Sequence, residues 1–295
     1  MVDRPVIRDL VPVDRVWTRL DHVERRLYEA TTSEDAFLTK IAQHLIGAGG
    51  KRYRPLLAQV AAELGPHDGS DPVEAGVAVE LIHLGSLYHD DVIDEADARR
   101  GAMSVNANWD NTIAILAGDF LLARASEVAA PLGTEAVRLL AQTYAALCEG
   151  QILELQLQDD LDQGLDGYYR VVALKTASLI RTSARLGSMA AGAPAQAVEA
   201  ASSWAHEVGM VFQLTDDVLD LVATEDFLGK PAGSDIGEGT YTLPVLLALE
   251  GPRSDALRSL LAGGHPYGEA TIAAVLDIVR DGDYVQQALA EVDRR

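Results

Sequence analysis

Apolar residues recur at helical period through most of this chain and almost nowhere alternate as a strand would, and that spacing limits the fold more than any other feature. It predicts helices near 12–30, 34–47, 53–64, 72–95, 105–129, 134–160, 168–190 and 195–223. After a loop rich in glycine and charge at about 225–239, shorter helices follow near 241–250, 254–262, 268–280 and 284–292. Breaks fall at Gly49-Gly50, Gly65-Pro66, Pro131-Leu132-Gly133, Gly164 and Gly192-Ala193-Pro194, where glycine and proline interrupt the period. Long helices with short connections pack as antiparallel neighbours, so an all-α bundle is expected. No shift in composition marks a boundary, and a single domain over 1–295 is the simplest organisation.

One short pattern occurs twice, as Asp90-Asp91-Val92-Ile93-Asp94 and as Asp216-Asp217-Val218-Leu219-Asp220. On a helix Asp90, Asp91 and Asp94 fall at about 0°, 100° and 40°, and Asp216, Asp217 and Asp220 subtend the same arc. Two like charges about 4 Å apart repel by roughly 1 kcal/mol in water and by roughly 4 kcal/mol at an effective dielectric of 20. Three on one side therefore need cations, protonation or full exposure. Leu84, Leu87, Val92 and Ile93 flank the first cluster, and Phe212, Leu214, Val218 and Leu219 the second, which argues against a merely solvated acidic face. Hard oxygen donors in such rows suit Mg²⁺, which keeps its waters and bridges to phosphates. A di-iron bundle would call for Glu-x-x-His motifs, and none accompanies these aspartates.

The net charge is −21, which makes nucleic acid a poor partner because backbone binding needs a basic face. Basic residues gathered at one place then call for an explanation. Lys51 and Arg54 stand with Gly49-Gly50 at the start of a helix, where free backbone N–H groups attract anions. Arg99 and Arg100 follow the first aspartate cluster, and Lys175, Thr176, Gln213 and Lys230 complete a polar set. Each has a plainer reading: Arg99 as the i,i+4 partner of Glu95, Lys175 as a surface lysine, Gln213 as a satisfied core amide. His83 lies two turns before Asp90 on the same face, as a core histidine or as a ligand. The single cysteine, Cys148, sits in an apolar stretch and reads as a small buried hydrophobe in a reducing compartment. The charged N-terminus has no apolar signal core, and no apolar run approaches the ~18 residues of a membrane span, so a cytoplasmic protein is expected.

The ordered motifs resemble those of the trans-isoprenyl diphosphate synthases, the polyprenyl synthetase family. They are Gly-Gly-Lys-Arg-x-Arg-Pro at 49–55, Asp-Asp-x-x-Asp with Arg-Arg-Gly at 90–101, Ala-Gly-Asp-Phe-Leu at 117–121 and Lys-Thr-Ala-Ser-Leu at 175–179. Phe-Gln-Leu-Thr-Asp-Asp-Val-Leu-Asp at 212–220, Gly-Lys-Pro-Ala-Gly-Ser-Asp at 229–235 and Thr-Leu-Pro at 242–244 close the series. The resemblance implies an orthogonal helical bundle of the isoprenoid synthase type with a central cavity, usually a homodimer. It implies that Asp90, Asp94 and Asp216 ligate Mg²⁺, about three ions per active site with diphosphate bound. Asp91, Asp217 and Asp220 would support the metal ions through water or through contacts behind the ligands. It places the allylic diphosphate (geranyl, farnesyl or geranylgeranyl) on Arg99, Lys175 and Lys230, and isopentenyl diphosphate on Lys51, Arg54, His83 and Arg100. Thr176 and Gln213 would stand near the developing allylic cation. The family often has a lysine in Glu-Gly-Lys-x-Thr-Leu-Pro where this chain has Thr240, so weaker allylic binding is expected.

The resemblance also bears on product length. Bulky residues four and five positions before the first aspartate shorten the product in this family, and here Ser86 and Gly85 are small. By helical angle Ser86, Val79 and Gly76 share the inward face below Asp90, at about −40°, −20° and 40°. An all-trans product longer than C20, handed on to a membrane, is therefore expected, unless Tyr88 closes the floor. The alternatives are a short-chain (C15 or C20) synthase and a non-catalytic regulatory subunit of a heteromeric synthase. A class I terpene cyclase would lack both the second aspartate motif and the Gly-Gly-Lys-Arg-x-Arg-Pro site.

Overall fold

The computed structural model describes residues 4–66, 69, 71–222 and 232–295. Its helices are α1 Arg4–Leu10, α2 Asp14–Ala30, α3 Ala36–Ala42, α4 His44–Gly47, α5 Tyr53–Ala62, α6 Asp71–Ile93, α7 Val105–Asn108, α8 Asn111–Ala129 and α9 Thr134–Leu157. They continue as α10 Gly164–Val172, α11 Ser178–Ala190, α12 Ala195–Val222, α13 Ser234–Gly237, α14 Leu243–Leu249, α15 Ser254–Leu261, α16 Glu269–Asp281 and α17 Tyr284–Arg294. Among the described residues the one sheet is a two-residue hairpin, β1 Ala98–Arg99 with β2 Ala102–Met103. The chain is thus all-α, as its periodicity predicts. It forms two compact units, Met1–Tyr144 with Leu179–Ala205, and Ala145–Ser178 with His206–Arg295.

The first unit is organised by α6. Asp71 and Glu74 in its first turn complement the N-terminal dipole, and Pro72 fits there because that N–H has no helical partner. Beyond them the helix is buried on most sides, with Val73, Val77, Val79, Leu81 and Leu84 in the core and Glu80 buried among them. A helix without a polar face must be surrounded, and α2, α5 and α8 pack against it. A smaller core of Val16, Trp17, Leu20 and Leu56 ties α2 to α5.

In the second unit the short helix α14 (Leu-Pro-Val-Leu-Leu-Ala-Leu) is buried at six of its seven positions. Met210, Leu214, Val218 and Leu221 of α12 close over it, with Val275, Ile278 and Val279 of α16. Tyr168 and Val172 of α10 complete the same core.

Several boundaries differ from the periodic reading. The expected helix at 105–129 is two helices, because the Asp110 carboxylate accepts the Ile113 N–H at 2.8 Å and starts α8 afresh. The helix expected over 168–190 is interrupted at Ala173–Ala177 by a π turn. Within the loop expected at 225–239, the described part contains α13. The hairpin was not expected; Arg100 and Gly101 both have positive φ, 56° and 75°, as a two-residue turn matched to strand twist requires. Cys148 is exposed rather than buried. It lies on an outward stripe of α9 with Ala141, Ala145, Ile152 and Leu155, all exposed.

Candidate active site

In the first unit the C-terminal end of α6 carries the first aspartate cluster, and its three carboxylates differ in environment. Asp94 is exposed, Asp90 is partly buried and Asp91 is fully buried. The ~100° between Asp90 and Asp91 is the reason: it turns one carboxylate inward while its neighbours face out. Asp91 Oδ1 accepts Arg99 Nε at 2.6 Å. Its Oδ2 is buried and accepts no hydrogen bond. Burial raises the Asp91 pKa, and the Arg99 guanidinium opposes that shift.

The hairpin turn swings Arg100 back toward α4. Its Nη1 donates to Leu45 O at 3.2 Å and to Gly49 O at 2.5 Å, beside the Gly49-Gly50 loop. At the end of that loop Arg52, in a left-handed conformation, is buried in ion pairs with Glu24 and with Glu80 of α6, the latter at 3.1 Å. Glu80 feels the charges of Arg52, Arg100 and Arg54, and His83 those of Arg54, Arg100 and Arg52. Burial and then Glu80, Arg100 and Tyr53 act on Arg54, whose pKa is lowered and whose Nε is buried without a hydrogen-bond acceptor. Burial, reinforced by Arg54 and Arg100, holds His83 well below the ordinary histidine range, as a neutral imidazole. Three guanidiniums here face the two carboxylates of Glu80 and Glu24, so the cluster has one positive charge to spare for an anion. Lys51 is exposed at the same loop.

The second unit presents the other cluster on α12. Asp216 is exposed, while Asp217 and Asp220 are buried. Thr176 Oγ1 donates to Gln213 Oε1 (2.7 Å) and Gln213 Nε2 donates to Asp217 Oδ1 (2.8 Å). Tyr168 Oη donates to Asp217 Oδ2 at 2.5 Å. Burial pushes the Asp217 carboxyl up to about 6 against these hydrogen bonds. Asp220 Oδ2 accepts the Asp235 N–H at 3.4 Å. Lys175 and Thr176 stand on the π turn between α10 and α11, an irregularity that recurs at functional sites. Gly150 of α9 permits it: a Cβ there would lie 2.9 Å from both Leu174 Cβ and Lys175 N. Lys175 Nζ is ion-paired with Glu154, one turn after Gly150.

The structure thus gathers Arg54, His83 and Arg100 in one unit, and Thr176, Gln213 and Asp217 in the other. It pairs Arg99 with Asp91 rather than with Glu95. Lys230 lies outside the described residues. Glu80, Tyr168 and Glu154 were not anticipated; each is defined by partners remote in sequence. The small residues of α6 also take on packing roles. Gly85 faces α8, where a Cβ would stand 3.1 Å from Gly118 O, and Gly76 faces Gln59 and Val23. Tyr88 is committed elsewhere, its hydroxyl donating to Ile41 O at 2.7 Å.

Among the described residues no three carboxylate, imidazole or thiolate groups converge closely enough to hold a metal alone. Within each unit the donors still fit a hard cation delivered with a polyanion. In the first, Asp94 is exposed and Asp91 retains a buried oxygen with no hydrogen bond; in the second, Asp216 is exposed.

Comparison with known proteins converges on one family. The family model described as Polyprenyl synthetase matches residues 35–279. Heptaprenyl diphosphate synthase component 2 of Geobacillus stearothermophilus is 44% identical over 273 residues, covering 92% of this chain and 85% of that protein. Nonaprenyl diphosphate synthase of Mycobacterium tuberculosis is 45% identical over 244 residues, 82% of this chain and 73% of that one. Among solved structures, a polyprenyl synthase from Caulobacter crescentus, complexed with calcium and isoprenyl diphosphate, superposes with a TM-score of 0.88 at 33% identity, covering 95% and 88% of the two chains. With this sequence likeness and this helical-bundle fold, the chain belongs to the polyprenyl synthetase family of trans-isoprenyl diphosphate synthases.

Proposed function

We propose that the chain is a trans-prenyltransferase that condenses isopentenyl diphosphate with an allylic diphosphate to give an all-trans polyprenyl diphosphate longer than C20. The observation that carries this reading is the cluster of Arg52, Arg54 and Arg100 about Glu80, with neutral His83 in the field of the same guanidiniums, a surplus of positive charge in a chain of net charge −21. Heptaprenyl and nonaprenyl diphosphate synthases among the relatives support the longer product.

In this reading Lys51, Arg54, His83 and Arg100 bind isopentenyl diphosphate, and Arg99, Lys175 and Lys230 bind the allylic diphosphate. Magnesium would be held by Asp90 and Asp94 of the first cluster and by Asp216 of the second, with Asp91, Asp217 and Asp220 supporting these ligands. Calcium in the Caulobacter crescentus structure supports a divalent ion. When bound, the metal neutralises the departing diphosphate and so eases ionisation of the allylic C–O bond. The Gln213 amide is fixed between Thr176 and Asp217 and offers an oriented dipole to the developing cation. The isopentenyl double bond supplies the electrons of the new C–C bond, and the proton it loses passes to the released diphosphate. No side chain has to act as general base.

One domain over 1–295 is part of the reading, supported by a family match that runs through both units. So is a cytoplasmic location with the product passed to a membrane, since among the described residues no helix is long and apolar enough to cross one. A homodimer is supported by the exposed stripe of α9. The relative named as component 2 of a heptaprenyl diphosphate synthase favours a second reading, in which this stripe meets a different subunit. The test is diphosphate release by the purified chain alone. Release that needs both substrates and Mg²⁺, and stops with EDTA, supports the first reading. Activity that appears only with an added partner chain supports the second, and no release in either case contradicts both.

A further inference from the structure

Lys175 does not present a free ammonium. It is ion-paired with Glu154, and the two side chains are 33% and 24% exposed, within reach of a ligand from solvent. The pair is built in: Gly150 lets the π turn close on α9 and brings Lys175 opposite a residue one turn along. Beside it lies a small void of about 30 Å³ lined by Glu154, Gln158, Tyr168 and Thr240, with no basic side chain in its wall. Asp217, a buried carboxylate of the same unit, is already satisfied by Tyr168 and Gln213. Among the described residues Glu154 is therefore the anion that holds Lys175.

We infer that Glu154 is a resident counter-ion that a diphosphate must displace from Lys175, and that it sets how tightly the allylic diphosphate is held. This rests on the assignment of Lys175 to the allylic diphosphate. Glu154 is a positioning residue: it keeps the lysine extended and weakens its hold on the anion. A partly exposed ion pair and its charge-assisted hydrogen bond correspond to a shift of roughly three- to tenfold in affinity. The direction is the distinguishing feature. Removing the charge tightens binding, whereas loss of a merely structural residue would weaken it.

The test is Glu154→Gln, which keeps the shape and an acceptor oxygen, in two measurements. Steady-state kinetics should show the KM for farnesyl diphosphate falling about three- to tenfold, with the KM for isopentenyl diphosphate unchanged. Calorimetric titration with inorganic diphosphate, which needs no turnover, should show the same tightening, and the effect should vanish in a Lys175→Met background. An unchanged or raised KM together with unchanged diphosphate affinity overturns the inference while an active wild type leaves the prenyltransferase reading intact. An inactive wild type whose Glu154→Gln variant still binds diphosphate more tightly contradicts that reading and upholds the counter-ion.

Discussion

His83 is neutral because burial and the neighbouring guanidiniums oppose its proton, and this gives stability a definite pH dependence. As pH falls through about 6.5 the unfolded chain takes up a proton that the folded chain refuses. Folding free energy should then decline, with a limiting slope of about 1.4 kcal/mol per pH unit, until the depressed folded-state pKa is reached. Denaturant midpoints between about pH 5 and 7 should fall more steeply for the wild type than for His83→Gln. Parallel curves would remove His83 as the source. Arg54 belongs to the same cluster, and its buried Nε has no acceptor within the protein. Replacing it with alanine should raise the KM for isopentenyl diphosphate roughly 10- to 100-fold, the range for a charged hydrogen bond, and leave the allylic KM nearly unchanged. Equal losses for both substrates would contradict its assignment.

Among the elements, the π turn at Ala173–Ala177 shows most clearly what the sequence discloses and what it hides. Lys175 and Thr176 stood out as a polar pair in an apolar helix. One extra residue in a turn leaves the apolar period on either side intact, so the irregularity was invisible. Its enabling residue, Gly150, lies 25 positions before Lys175 and looks like any helical glycine. Gly150→Val should drive a side chain into Leu174 and Lys175, costing roughly 1–3 kcal/mol by overpacking. Thermal melting should drop by several degrees and kcat should fall with it; an undisturbed melt would mean that the contact is slack. The hairpin was legible only in part, since Arg100-Gly101 is a turn pair but the strands are two residues each. Tyr168 and Glu154 escaped because local spacing carries no record of partners 49 and 21 residues distant.

Over the whole molecule the helical class and most helix limits followed from periodicity, because long apolar helices leave few other folds open. The exposed stripe did not. An apolar helical position reads the same whether it faces the chain's own core or outward, which is why Cys148 reads as buried from the sequence. Ala141, Ala145, Cys148, Ile152 and Leu155 alternate in steps of four and three, the spacing of a helix–helix seam. Ile152 is 57% exposed, so Ile152→Glu should leave the monomer folded. Light scattering should then report a dimer for the wild type and a monomer for the variant. A wild type that is monomeric at micromolar concentration would contradict the seam.

The central claim is chain elongation from an allylic primer, and sizing the products of the purified protein tests it most directly. The protein would be incubated with radiolabelled isopentenyl diphosphate, Mg²⁺ and farnesyl or geranylgeranyl diphosphate, and the extracted prenols resolved by length. The account predicts a Mg²⁺-dependent ladder that ends beyond C20. A product that stops at C15 or C20 would contradict the chain length, and no incorporation from any primer would contradict the prenyltransferase itself.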